Sequence, residues 1–187
     1  MPICKFTTTY ADYEIGKTFR FYFACQEEDP LASGFCIFHD KYYLHHYLFS
    51  FREEHKRKVL DRFKHKVNDA ISNKKPLFCI GFQLPDFNLS DLSIRKEFTK
   101  PVYFNGSEFF GEAYFYDANF QGKASFSDVK FQEGASFSDV KFQGEASSLE
   151  LISKNEQPSP ELISKEVRYT QKFVLYRLQS EEKSYAV

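Results

Sequence analysis

Cys4, Cys25, Cys36 and His39 are the residues of this chain best suited to chemistry, and the chemistry is metal binding. Cys36-Ile37-Phe38-His39 is a Cys-x-x-His step, which sets two soft ligands on one tight knuckle. Cys4 and Cys25 come together if residues 4–25 fold as a β-hairpin. Phe6, Thr8 and Tyr10 would share one face of its first arm, and Phe19, Phe21 and Phe23 one face of its second, with Gly16 near the turn. With the turn centred between Glu14 and Ile15, Phe6 lies opposite Phe23 and Cys4 opposite Cys25, both thiols on one face at the open end. Three thiolates and one imidazole make a closed tetrahedral set with no position left for water, which suits structural Zn²⁺ and not catalysis. The twenty residues between the first two cysteines are an unusual gap for a small finger. The alternatives are three buried thiols beside an unrelated histidine, and a Cys4–Cys25 disulfide. Cys79, within the apolar run Leu77 to Phe82, reads as a core residue.

Other chemistry-bearing residues form no comparable set. His45 and His46 follow Tyr42-Tyr43-Leu44 with no acidic or cysteine partner at ligand spacing, so they read as packing or surface residues. Arg52, Lys56, Arg57, Lys58, Arg62, Lys64 and Lys66 outnumber Glu53, Glu54 and Asp61 on one helix, and beside a metal knuckle such a helix could touch phosphates. They flank its apolar stripe on both sides and form no single reading edge, so a solvated face is the simpler reading. No nucleophile–base pattern, Gly-rich phosphate loop or acidic pair stands out, so neither catalytic nor organic-cofactor residues are assigned and the chain is not expected to be an enzyme.

The elements that would position the Cys/His set follow from spacing. Residues 26–36 read as an acidic, turn-rich loop. Residues 51 to about 72 read as a helix, with Ser50 as N-cap and Glu53 completing a capping box. Val59, Leu60, Phe63, Val67, Ala70 and Ile71 form its apolar stripe, and Asn73 and Pro76 stop it. Residues 77–82 read as a short strand buried on both faces.

From Pro101 the period changes. Phe104, Phe109, Phe115, Phe120, Phe126, Phe131, Phe137 and Phe142 are separated alternately by five and six residues. Two residues before each stands a small or β-branched side chain: Val102, Ser107, Ala113, Ala118, Ala124, Val129, Ala135 and Val140. Residues 135–143 repeat 124–132 letter for letter, the mark of a duplicated eleven-residue unit. A helix has no use for this alternation, and a flat strand needs an even spacing. A chain that turns a corner every five or six residues satisfies both the aromatic and its small partner, burying each face by stacking on its neighbours. Gly106, Gly111, Gly122, Gly134 and Gly144 fall at corner spacing and read as turns.

Units such as Ala118-Asn119-Phe120-Gln121-Gly122 resemble the pentapeptide-repeat family: a small residue, a polar one, a central Leu or Phe, then two variable positions. The resemblance covers about a quarter of the chain (Val102 to Ser148) and implies a right-handed, four-sided β-helix. The sixth residue of alternate units departs from the pattern and must bulge at a corner. With four faces and twenty-two residues per coil, Phe104 should stack on Phe126, Phe109 on Phe131, Phe115 on Phe137 and Phe120 on Phe142. Two coils make a wall only ~10 Å tall, so caps are needed, and the 77–82 strand and a final helix are the natural ones. The N-terminal Cys/His segment is similar to segments found ahead of pentapeptide repeats in archaeal proteins. Family members that imitate DNA and bind topoisomerases need a long acidic rod. Here Glu108, Glu112, Asp117, Asp128, Glu133, Asp139 and Glu145 outnumber Lys123, Lys130 and Lys141, but two coils are too short.

Composition narrows the class. The repeat concentrates nine of the 23 Phe of the 187-residue chain in its 47 residues. A net charge of −1 offers no bulk attraction for nucleic acid or anionic membrane. No run approaches the ~18 apolar residues of a membrane span, and the start shows no apolar signal core, so a cytoplasmic protein is expected. The reading is an α+β protein in three parts: a hairpin, zinc knuckle and helix over 1–76, a capping strand and solenoid over 77–148, and a linker and C-terminal helix over 149–187. Its expected role is structural or protein-interacting, with Zn²⁺ as the bound metal and a protein partner the sequence does not name. The alternative is a zinc-containing nucleic-acid binder using the basic helix 52–66.

Overall fold

The computed structural model describes residues 2–14, 17–45, 49–91 and 96–147. Strands β1 (Thr7–Glu14) and β2 (Lys17–Ala24) form the expected antiparallel hairpin. The register pairs Thr7 with Ala24 and Glu14 with Lys17, two residues away from the expected alignment. Phe6 therefore lies opposite Cys25, whose N–H donates to the Phe6 carbonyl at 3.0 Å, and Cys4 lies opposite Glu27. Cys4 is diagonal to Cys25, not across from it. An offset of two residues leaves every side chain on its original face, so both thiols still point the same way.

Helix α1 (Phe49–Ser72) begins before Ser50, so Ser50 sits inside the first turn and is not the N-cap. Its stripe is as expected: Val59, Phe63, Val67 and Ala70 are buried, with Leu60 and Ile71 packed beside them. The helix ends in a Schellman motif. Lys74 takes the left-handed conformation (φ 50), Lys75 N–H donates to the Ala70 carbonyl at 2.9 Å, and Lys74 N–H donates to the Ile71 carbonyl at 3.3 Å.

Beyond the helix the chain winds through four parallel sheets, one per face. The first face stacks Leu77–Phe78, Val102–Tyr103, Ala124–Ser125 and Ala146–Ser147. The second stacks Gln83–Leu84, Glu108–Phe109 and Lys130–Phe131, and the third Phe87–Asn88, Ala113–Tyr114 and Ala135–Ser136. The fourth stacks Glu97–Phe98, Asn119–Phe120 and Lys141–Phe142. The expected strand at 77–82 is thus no separate cap. It opens an additional coil, so the solenoid has three coils and the start of a fourth, not about two. Nor is that strand buried on both faces, because Phe78 is 41% exposed and stacks outside on Tyr103.

All four expected aromatic stacks form, with ring centroids 5.3 Å apart for Phe104–Phe126, 5.1 Å for Phe109–Phe131, 4.8 Å for Phe115–Phe137 and 5.2 Å for Phe120–Phe142. Phe98 extends the last column below Phe120. In the first coil the matching interior places are held by Cys79, Leu84 and Leu89, all fully buried. The corners closing five-residue units carry left-handed residues, Gly106, Asp117, Asp128 and Asp139, and all four turns close with N–H bonds from Ser107, Ala118, Val129 and Val140 to the carbonyl of the Phe three residues back. The six-residue units turn without them. At one such corner Gly122 lies so close to the coil below that a Cβ would come within 2.6 Å of the Lys100 backbone.

Helix α1, not a strand, closes the first end of the solenoid. Phe63 presses its edge on Phe87 at 4.8 Å and on Phe104 at 6.3 Å. The hairpin lies over the first face, where Tyr10 meets Tyr103 and Phe23 meets Phe78. The expected C-terminal helix lies outside the described residues. No helix among the described residues is long and apolar enough to cross a membrane.

Candidate metal centre

The hairpin's open end delivers Cys4 and Cys25, and the turn after the acidic loop delivers Cys36 and His39. Within that turn the His39 and Asp40 N–H groups both donate to the Cys36 carbonyl at 3.0 Å, so the knuckle is held by its own backbone. The structure gathers all four side chains, buried, with their ligand atoms within 4.8 Å of one another. Cys36 Sγ lies 3.2 Å and Cys4 Sγ 3.7 Å from His39 Nδ1, and Cys25 Sγ lies 3.9 Å from Cys36 Sγ. A tetrahedron with Zn–S of ~2.3 Å and Zn–N of ~2.0 Å has edges of about 3.8 Å and 3.5 Å, so the residues fit such an ion. None of the cysteines forms a disulfide.

The surroundings suit ligands. His39 Nε2–H donates to the Ile80 carbonyl at 2.9 Å, which leaves Nδ1 with its lone pair turned toward the three sulfurs. Backbone N–H groups donate to two sulfurs, Cys36 N to Cys4 Sγ at 3.2 Å and Glu27 N to Cys25 Sγ at 3.4 Å. A hydrogen bond from the Cys36 thiol holds Cys25 well below the ordinary thiol range, and the same bond together with burial pushes Cys36 up. Cys79 stands apart in the first coil, its thiol pushed up by burial, in keeping with a core role.

Several supporting residues carry no sequence signal as part of this site. Phe6 stacks flat on the His39 ring at 3.8 Å, and Phe82 meets it edge-on at 5.2 Å. Gly81, at φ 67, leaves the space that the Phe6 ring occupies, since a Cβ there would come within 2.5 Å of it. Glu27 is clamped from the helix by Lys66 and by Arg62, whose Nε donates at 3.2 Å. The one trace in the sequence is the four-residue spacing of Arg62 and Lys66, which puts both on one helix face.

The remaining candidates stay apart from the centre. His45 packs its edge on Phe110 at 4.5 Å, and His46 lies outside the described residues. On the basic helix Lys56 pairs with Glu53, Lys58 with Glu54 and Lys64 with Asp91, besides the two cations on Glu27.

Stacked two-residue strands on four faces with a phenylalanine interior define a pentapeptide-type β-helix. Residues 97–147 match the pentapeptide-repeat family, with nine copies of the repeat. The match begins on the fourth face of the first coil, at Glu97–Phe98, and leaves out the three earlier faces, where Cys79, Leu84 and Leu89 hold the interior places. No curated protein and no solved structure matches the chain significantly.

Proposed function

We propose that the chain is a non-enzymatic scaffold for protein interaction, its solenoid closed at the first end by a module built around structural Zn²⁺ on Cys4, Cys25, Cys36 and His39. The observation that carries the zinc assignment is the orientation of His39: its Nε2–H is committed to Ile80, so Nδ1 completes a buried Cys₃His set. A closed set of four protein ligands leaves no coordination position for substrate, which supports a structural role. The flat parallel faces supply rigid walls for a protein partner. Free thiols at the centre suit the reducing cytoplasm.

Metal analysis of protein purified without chelator should find about one zinc per chain. Protein that is metal-free and equally stable with and without added zinc would end the assignment. The nucleic-acid reading is disfavoured because five cations of the basic helix already face carboxylates. Filter binding to duplex DNA at two salt concentrations tests it, and tight binding with a steep salt slope would restore it.

A further inference from the structure

Within the hairpin, β1 pairs with β2 on one side only. The backbone bonds at Cys4–Glu27 and Phe6–Cys25 set the alternation. Thr8 and Tyr10 therefore turn their N–H and C=O groups toward β2, while Thr7 and Thr9 turn theirs outward. Lys5, the preceding outward residue, donates its N–H to the Gly34 carbonyl at 2.9 Å. No described group bonds the outward backbone of Thr7 or Thr9.

This stretch of edge fronts a cleft of about 480 Å³, which Thr8, Thr9 and Tyr10 line as consecutive residues. Side chains of consecutive strand residues point to opposite faces, so the lining element is the strand edge. The opposite wall is a column of corners from successive coils, Gly81, Gly106 and Asp128, all left-handed at φ 67, 65 and 59. Beside Gly106 a Cβ would meet nothing within 4 Å, so the groove is open there.

We propose that this groove is a docking site for an extended peptide segment, which adds to the β1 edge as a third strand. The proposal rests on the protein-interaction reading and names the form of its partner. An extended backbone presents donors and acceptors at the two-residue repeat of Thr7 and Thr9, which no compact ligand reproduces. Arg20 and Asp128 line the same cleft, and neither has an ion-pair partner among the described residues. The segment that fits carries one acidic and one basic side chain around an apolar residue that faces the half-buried Phe6.

The test uses the full chain and a random dodecapeptide library displayed on phage, with selected peptides synthesised and titrated by fluorescence anisotropy. Thr9→Pro removes the outward N–H, together with the side-chain hydroxyl, without breaking a bond to β2, and proline suits an edge strand. It should weaken binding at least tenfold with an unchanged melting curve, while Tyr22→Ser on the exposed side of the hairpin leaves binding intact. Arg20→Glu should weaken the peptides that carry an acidic residue. In the unmodified chain, added peptide should slow amide exchange at Thr7 and Thr9. Peptides that bind Thr9→Pro as tightly as wild type, with no slowing at Thr9, would overturn the edge site while leaving the interaction reading intact. A selection that enriches no peptide would also overturn it, and the zinc analysis above would be untouched.

Discussion

His39 has two ring nitrogens, and the fold commits one of them to a backbone carbonyl of the first coil. That bond, together with the Gln83 N–H donating to the Phe38 carbonyl at 2.8 Å, ties the Cys/His knuckle to the solenoid. Cys36→Ser should therefore lose the bound metal and lower stability, because Cys36 touches both Cys25 and His39. Cys79→Ala should keep the full metal content, since that thiol sits in the coil interior. Zinc measured on both purified variants separates them, and equal loss in the two would show that the cluster is misassigned. Gly81→Ala is a sharper probe of the same contact. Its Cβ would collide with the ring that stacks on His39, in a left-handed conformation that also disfavours alanine by ~1–2 kcal/mol. The variant should melt earlier than wild type, and its metal should release faster to a chelator. Much of the centre was legible from residue type, because Cys-x-x-His is local and the hairpin face survives an even register error. Phe6 over His39, the Ile80 carbonyl and the need for Gly81 were not legible, because each depends on a contact between distant segments.

Elements differ in how openly their spacing shows. The eight phenylalanines from Phe104 to Phe142 lie in phase, so three faces of stacking and the fourth could be read directly from intervals. The first coil has the same path but hides it. Cys79 and Leu84 replace phenylalanine, and nine residues separate Leu89 from Phe98, so the five-and-six rhythm breaks. The reason is what lies above. Phe126 is ringed by the phenylalanines Phe104, Phe115, Phe120, Phe137 and Phe142, whereas the first coil meets Phe63 of the helix and Phe38 of the knuckle and is filled by shapes that fit those rings. Phe126→Ala should cost ~3–5 kcal/mol, the usual penalty for truncating a buried aromatic, read as a shift in denaturation midpoint. The helix C-terminus makes the opposite kind of prediction. Lys74 holds a left-handed position that glycine occupies without a Cβ penalty, so Lys74→Gly should stabilise the chain by about 0.5–1 kcal/mol. Unchanged or lower stability would mean that the Lys74 side chain contributes more than its backbone strain costs.

At the scale of the molecule the two ends of the coil are unequal. One is covered by α1 and the Cys/His module, and the interior residues Cys79, Leu84 and Leu89 there are fully buried. At the other, Phe137 and Phe142 are only partly buried among the described residues. A solenoid transmits stability between neighbouring coils, so damage at one end should fade along the axis. Removing zinc with a chelator should therefore act as a graded perturbation. The amides of Cys79 and Gly81, which donate to the second coil, should lose exchange protection first. The amides of Lys130 and Gln132, bonded one coil further on to Ser107 and Phe109, should keep most of theirs. Protection measured residue by residue before and after chelation checks this order. A uniform fall would mean that the whole body unfolds as one unit when the cap opens. No fall at Cys79 would mean that the knuckle holds the hairpin without bracing the coil, and His39 would then be a ligand whose bond to Ile80 carries no mechanical consequence.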